Sequence, residues 1–170
     1  MGNKALCGLN CGTAPKKNKH IDLDFSNQKP QFRDLNFIDI ISSNASLEQL
    51  DVSSNAVSKL GKDFAAKKWP NLKVLNLEGN CFNKISVSEW ENLTSLQHLN
   101  LTKNELMSLP IDINNLPKSL AHLLLSENEI SKLPDSFVQL NNLRTLTLNR
   151  TKRNFSQIFL FSSVIIRLVL

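Results

Sequence analysis

One pattern of apolar positions, Leu-x-x-Leu-x-Leu-x-x-Asn, dominates the middle of the 170-residue chain. Four copies keep the final Asn, and they begin at Leu47, Leu72, Leu96 and Leu120. A fifth copy begins at Leu143 and has Thr151 where the others have Asn. Alternation of apolar and other residues predicts a strand with one buried face. A nearly constant period predicts stacked units that bury their leucines against one another.

The final residue of each complete copy is an asparagine whose register with the leucines does not vary. These residues are Asn55, Asn80, Asn104 and Asn128. An amide side chain can donate and accept hydrogen bonds, so it can satisfy backbone groups that a tight turn would otherwise bury unpaired. The pattern therefore predicts an internal ladder of structural asparagines rather than a set of exposed turn residues.

The pattern and its period resemble the leucine-rich-repeat family over roughly residues 47–151. In the second half of each unit an apolar residue recurs five positions after the Asn, and two of these, Leu109 and Leu133, precede proline. That feature is similar to the short intracellular subtype with a Leu-Pro turn, and the opening residues 1–6 also resemble a small member of it. The resemblance implies an α/β repeat solenoid, a horseshoe with a parallel concave sheet and an irregular, 3-10 or helical convex side.

The flanking segments are interpreted as atypical ends of the array. Residues 20–46 begin with an alternating strand pattern and are expected to form an N-terminal cap or a divergent first repeat. Residues 152–170 are an atypical hydrophobic tail, in which Ile165, Leu168 and Leu170 repeat the strand spacing. A membrane anchor is the alternative, but a spanning helix needs about 20 apolar residues. We therefore favour a truncated sixth repeat, which would leave an open apolar edge.

The first 19 residues are expected to form a flexible basic arm. Its lysines are Lys4, Lys16, Lys17 and Lys19. Gly2 would be exposed by removal of Met1 and is a candidate for myristoylation, with Cys7 a candidate second acylation site. Leu6 stands where the usual motif has Ser or Thr, so an ordinary unmodified start is the alternative. An acylated basic arm predicts contact with the cytoplasmic face of a membrane.

Composition argues against several other classes of function. The net charge is +5, but outside the basic arm the charges nearly balance, which does not favour a nucleic-acid partner. Only five glycines occur, and none forms a phosphate-binding loop. Three cysteines are too few for a disulfide framework, and the N-terminus has no apolar signal segment, so a cytoplasmic location is expected. We predict no catalytic residue and no cofactor.

Two groups of residues invite a metal-binding interpretation. Cys7, Cys11 and His20 have no standard zinc-ligand spacing, and a fourth ligand is missing. His98 and His122 occupy the third position of neighbouring repeats and should lie side by side, where they could bind metal or respond to pH. We interpret them as polar positions on an exposed face and predict no metal site.

The strand positions between the buried leucines should point to solvent and bind another protein. The predicted partner-binding residues are Glu48, Gln49, Asp51, Ser53, Lys73, Val74, Asn76, Glu78, Gln97, His98, Asn100, Thr102, His122, Leu124, Ser126, Arg144, Thr145 and Thr147. Leu124 is the candidate apolar anchor, and the charge changes from acidic at Asp51 to basic at Arg144 and Arg150. The predicted function is a non-catalytic interaction module or scaffold in signalling. The alternative is a regulatory or substrate-recognition subunit of an enzyme such as a phosphatase or a ubiquitin ligase.

Overall fold

The computed structural model describes residues 21–24, 26–27, 33, 47–66, 69–150 and 167–169. Their strands form one parallel sheet in chain order, with each strand paired to the next. The strands are β1 (Ile21–Asp24), β2 (Leu47–Asp51), β3 (Val74–Asn76), β4 (His98–Asn100), β5 (His122–Leu124), β6 (Thr145–Thr147) and β7 (Arg167–Val169). A parallel sheet with one strand per repeat confirms the predicted repeat solenoid.

The leucines of the repeats align across the sheet and form its buried face. Leu50, Leu75, Leu99, Leu123 and Leu146 pair in one register from β2 to β6, and each is at most 1% exposed. Residues on either side of this central leucine point the other way, because successive side chains of a strand alternate between its faces. The sheet therefore has an apolar inner face and an open outer face.

Each strand from β2 to β6 ends in a turn that contains a left-handed residue directly before the asparagine position. These residues are Ser54, Gly79, Lys103, Glu127 and Arg150, with φ between 55° and 65°. The amide of Ser54 donates to the Glu78 carbonyl at 2.8 Å, and that of Gly79 donates to the Thr102 carbonyl at 2.9 Å. The turn of one repeat is thus fastened to the next repeat.

The segment that contains β1 has the same turn. Asn27 has φ of 48°, and its amide donates to the Ser53 carbonyl at 2.9 Å, as the left-handed residues of later repeats do. Leu23 pairs with Leu50, which places Leu23 at the central leucine position. The strand and the turn of this segment are therefore in register with those of the next repeat, and the interpretation of residues 20–46 as an N-terminal cap or a divergent first repeat stays a prediction.

Short helical segments form the side opposite the sheet. They are the α-helix α1 (Lys62–Ala66) and 3-10 helices at Val87–Glu89, Ile113–Asn115 and Asp135–Gln139. Pro134 lies directly before the last of these in an extended conformation, with φ of −71°. Proline cannot donate a backbone hydrogen bond, and its fixed φ suits the start of a helical turn. The irregular and 3-10 convex side matches the predicted subtype.

Two aromatic pairs fill the core beneath α1 and the first 3-10 helix. The rings of Phe64 and Trp69 stack with centroids 4.6 Å apart, and the Trp69 indole N–H donates to the Phe64 carbonyl at 2.9 Å. Phe82 and Trp90 pack at 6.3 Å in the next repeat. All four side chains are at most 4% exposed. The leucine pattern did not predict these pairs.

The predicted sixth strand is present as β7, which pairs with β6 and sets Leu168 beside Leu146. The predicted arm, with Gly2, Cys7 and Cys11, and Thr151 at the fifth ladder position lie outside the described residues. Among the residues that are described, no helix is long and apolar enough to cross a membrane.

Candidate protein-binding face

The open face of the sheet carries two rows of side chains that run across the strands. The first row, from the third position of each repeat, is Gln49, Val74, His98, His122 and Thr145. The second row, from the fifth position, is Asp24, Asp51, Asn76, Asn100, Leu124 and Thr147. Neighbours within a row lie on adjacent strands about 4.8 Å apart, so a partner would meet each row as a continuous surface.

A shallow groove of roughly 470 Å³ runs along these rows from β1 to β5. Its outward-facing lining residues are Asp24, Gln49, Asp51, Val74, Asn76, His98, Asn100, His122 and Leu124. The remaining predicted binding residues flank the groove on the same strands and turns: Glu48, Ser53, Lys73, Glu78, Gln97, Thr102, Ser126, Arg144, Thr145 and Thr147. The structure thus brings the central predicted residues into one depression.

His98 and His122 form a stacked pair in the middle of the first row. Their ring centroids are 4.2 Å apart with an angle of 6° between the planes. The Nδ1 atom of His122 lies 3.1 Å from the Thr145 hydroxyl. Partial burial, together with repulsion from His122, holds the pKa of His98 below its ordinary value of 6.5. The His98 imidazole therefore presents a flat, uncharged surface near neutral pH.

The stacking does not suit a shared metal ion. The lone pairs of an imidazole lie in the ring plane, so two parallel rings direct them side by side instead of towards one point. A metal midway between the rings would lie out of both planes. Within the described ranges, no group of three or more His, Cys, Asp or Glu side chains could hold a metal ion.

The four polar members of the second row on β1 to β4 share one hydrogen-bonding arrangement. Each side-chain oxygen accepts the backbone N–H two residues ahead, as from Ser53 to Asp51 at 2.8 Å and from Thr102 to Asn100 at 3.0 Å. The Ser26 amide makes the same bond to Asp24, which holds the pKa of Asp24 below its ordinary value. Leu124 cannot accept such a bond, so it introduces an apolar side chain into an otherwise polar stretch.

The carboxylates of the face differ in whether a cation accompanies them. Glu48 is paired with Lys73 at 2.9 Å, and Glu78 with Lys103 at 2.8 Å. The hydrogen bond from Lys103 to Glu78 raises the pKa of that lysine. Asp24 and Asp51 pair with each other in register. In the described ranges the hydrogen bonds to Asp51 come from neutral donors, the Ser53 amide and the Asn76 side chain.

The two arginines at the predicted basic end of the face differ in their surroundings. Both side chains are exposed, and Arg150 lies 3.8 Å from Glu127, which partly neutralises it. Arg144 and, to a lesser extent, Arg150 therefore carry the exposed positive charge at this end of the sheet.

The four predicted ladder asparagines lie in the turns and are 4–7% exposed. Asn104 shows the arrangement: its Nδ2 donates to the carbonyls of Leu77, Leu101 and Thr102, and its Oδ1 accepts the Phe82 amide at 3.0 Å. Asn80 and Asn128 make the same set of contacts with their own neighbouring repeats. Each amide thus joins two repeats through buried backbone groups.

Sequence reasoning omitted Asp24 from the binding face. The signal was present in the alternation of Ile21–Asp24, because aligning Leu23 with Leu50 places Asp24 in register with Asp51, and Asp24 is exposed. The most exposed large apolar side chains of the described residues lie off the sheet, at Met107, Ile111 and Val138. They provide a matched control surface for the experiments below.

Comparison with known proteins agrees with this architecture. Residues 45–162 match a family model described as a leucine-rich repeat region. The chain belongs to the leucine-rich-repeat family. This match begins two residues before β2 and extends beyond residue 151, the last residue of the five repeats predicted from the sequence.

Among solved structures, this leucine-rich-repeat chain is similar to a leucine-rich-repeat protein of Leptospira interrogans, with 34% identity and a TM-score of 0.56. The similarity covers 64% of this chain and 26% of the other, so the chain spans about a quarter of that protein's length. A search of curated proteins gives no match. Leucine-rich-repeat domains are typically non-catalytic and generally bind other proteins.

Proposed function

We propose that this leucine-rich-repeat protein is a non-catalytic interaction module that binds a partner protein through the open face of its sheet. The groove along the two rows carries the proposal, because it combines apolar, imidazole, amide and carboxylate groups on one regular surface. Interfaces of this kind bind through a few central anchors surrounded by polar contacts. Leu124 and the stacked His98 and His122 are the central anchors.

Geometry also favours the sheet over the helical side. The outward side chains are held in fixed spacing by the strand pairing beneath them, and several are fixed further by hydrogen bonds to their own backbone. A rigid binding surface loses less conformational entropy when a partner binds. The apolar residues Met107 and Ile111 belong to irregular segments between a turn and a 3-10 helix.

Affinity purification from cells followed by quantitative mass spectrometry tests the proposal. The bait carrying His98→Ala and Leu124→Ala should recover its main partners at least about tenfold less than wild type, because interface anchors dominate binding energy. The matched control carries Met107→Ala and Ile111→Ala, which removes exposed apolar groups elsewhere, and should recover them normally. Equal losses in both variants, or in neither, would contradict binding through the sheet face.

We also propose that the arm of residues 1–19 brings the module to an acidic membrane after acylation of Gly2. One myristoyl chain binds membranes only weakly, so the lysines and Cys7 would provide the second contribution. Intact-mass measurement of the protein from eukaryotic cells should show one added myristoyl group, absent in Gly2→Ala. An unmodified Gly2 in those cells would end this part of the proposal.

A further inference from the structure

Negative charge is concentrated at one end of the groove, and this distribution limits which partners can bind there. Of the side chains that the structure describes on the open face of β1 to β3, four are carboxylates, Asp24, Glu48, Asp51 and Glu78, and one is an ammonium group, Lys73. Glu48 and Glu78 each have a lysine within 3 Å. The remaining negative charge lies on Asp24 and Asp51, which are neighbours in the second row.

Asp24 and Asp51 are held side by side with like charge. Each accepts the amide of the residue two positions ahead, which fixes the carboxylate over the end of its strand. Like charges directly opposite each other on adjacent strands are unfavourable. A cationic side chain from a partner would relieve this repulsion and gain a charge-assisted hydrogen bond.

The apolar part of the groove begins two strands further along. Val74, the stacked rings of His98 and His122, and Leu124 line it from β3 to β5. A neutral imidazole, like the side chains of Val74 and Leu124, carries no charge. An apolar or aromatic side chain of a partner would be desolvated here without leaving a buried charge unpaired.

From these observations we infer that the groove takes an extended, basic segment of the partner protein, lying across the strands. Its Lys or Arg contacts Asp24 and Asp51, and its apolar residue lies on the His98–His122 pair and Leu124. This inference rests on the proposed function and adds the chemistry of the partner. Exposed Arg144 beyond the apolar part disfavours a second cation at that end of the segment.

The spacing of the two anchors follows from the sheet. From Asp51 on β2 to Leu124 on β5 there are three strand intervals of about 4.8 Å, or about 14 Å in all. An extended chain advances about 3.3 Å per residue, and residues i and i+4 lie on the same side of it, about 13 Å apart. The bound segment therefore carries its basic and apolar anchors four residues apart.

Selection from a phage-displayed library of random dodecapeptides against the full chain tests this inference. The enriched peptides should share a Lys or Arg four residues from a Leu, Met or aromatic residue. Synthetic versions are then measured by fluorescence polarisation. Acidic peptides, a consensus without a basic residue, or no enriched sequence would each overturn the inference.

Matched variants assign the contacts. Asp24→Asn with Asp51→Asn removes the charge and keeps an oxygen for the Ser26 and Ser53 amides, and it should weaken binding roughly fivefold, as expected for exposed ion pairs. Glu91→Gln with Asp112→Asn removes two exposed charges outside the sheet and should leave binding unchanged. Replacing the basic residue of the peptide by Gln should weaken its binding to the wild-type chain roughly fivefold. The same replacement should leave binding to the Asp24→Asn, Asp51→Asn variant unchanged.

The two proposals fail in different ways. If the enriched peptides bind the His98→Ala, Leu124→Ala variant as well as wild type, the sheet face is not the binding surface and both proposals fall. If binding needs His98 and Leu124 but is insensitive to the Asp24 and Asp51 changes, the proposed function stands and the basic segment is wrong. Should the Asp variant unfold, the Gln-substituted peptide on wild type alone decides the point, because lost affinity supports the inference and unchanged affinity overturns it.

Discussion

Asparagine recurs in two series in this molecule, a turn series and a sheet series, and the two have different structural roles. Asn80 and Asn104 lie in the turns, 5% and 7% exposed, where their amides satisfy backbone groups of two successive repeats. Asn76 and Asn100 lie half-buried on the open sheet, where each accepts one amide of its own repeat and donates to a carboxylate of the preceding repeat. The comparison shows that burial, more than residue type, decides what an amide contributes.

Variation between repeats agrees with that distinction. Every described turn from β2 to β5 keeps its buried asparagine, whereas the corresponding position on the sheet is Asp in β2, Asn in β3 and β4, and Leu in β5. A buried polar group left without its partner costs far more than an exposed one that water can satisfy. The turn series therefore maintains the solenoid, and the sheet series is free to define a binding surface.

The largest effect should come from the turn series. Asn104→Ala removes the partner of the Phe82 amide and of buried carbonyls, including that of Leu77. We expect a loss of about 3 kcal/mol in the free energy of unfolding, measured by urea denaturation. Asn83→Ala, an exposed position in the neighbouring repeat, is the control and should cost less than about 0.5 kcal/mol. Equal losses would remove the distinction between the two series.

A second prediction separates the asparagine from the turn that holds it. Gly79 has φ of 65°, and a Cβ there would have no atom closer than 3.6 Å, so Gly79→Ala adds backbone strain without a clash. We expect the free energy of unfolding to fall by about 1 kcal/mol. Ser54 has the corresponding left-handed conformation. Ser54→Gly should therefore raise the free energy of unfolding by about 0.5 kcal/mol. Thermal melts with the opposite order would show that the turn backbone is not strained.

Replacement in the sheet series should be tolerated. Asn100→Ala removes the bond that Asn100 accepts from the Thr102 amide and the bond that it donates to the Glu78 carboxylate. Water can reach these groups, so the free energy of unfolding should fall by less than about 1 kcal/mol. Asn100→Leu should fold normally, because the next repeat has Leu124 at that position. A loss as large as that of Asn104→Ala would mean that both series are structural.

The smallest effect concerns pH. The folded state lowers the pKa of His98, through partial burial and then the neighbouring His122, so the unfolded chain binds more protons as the pH falls below about 6.5. The stability that His98 contributes is therefore present above that pH. It is lost as the pH falls through the pKa that His98 has in the folded state. Between about pH 7.5 and about pH 5.5 the wild-type Tm should fall slightly more than that of His98→Gln. Identical falls would show that the pair does not affect folding.

Much of this architecture was predictable from the sequence. The register of leucines and asparagines predicts strand, turn and period together, because a strand followed by a turn at Asn55 buries Leu47, Leu50 and Val52 on one side. Alternation within each strand likewise indicates which side chains face outward. The order of the strands follows because each repeat can bury its apolar face only against its neighbour.

Other features depend on contacts that the pattern does not encode. The Phe64–Trp69 and Phe82–Trp90 pairs lie in segments of irregular spacing, so their partners are defined only once the repeats are stacked. The parallel stacking of His98 and His122 depends on side-chain rotamers, which strand periodicity does not determine. The acidic end of the groove was underestimated because Asp24 belongs to a repeat without the leucine signature.

The central claim is that the open sheet face, and not the helical side, binds the partner. Titration of the ¹⁵N-labelled chain with an enriched dodecapeptide, followed by chemical-shift mapping in NMR spectra, tests it most directly. The account predicts that the largest shifts belong to amides of Leu47–Asp51, Val74–Asn76, His98–Asn100 and His122–Leu124. Largest shifts at Ile113–Asn115 and Asp135–Gln139, with the sheet unchanged, would contradict it.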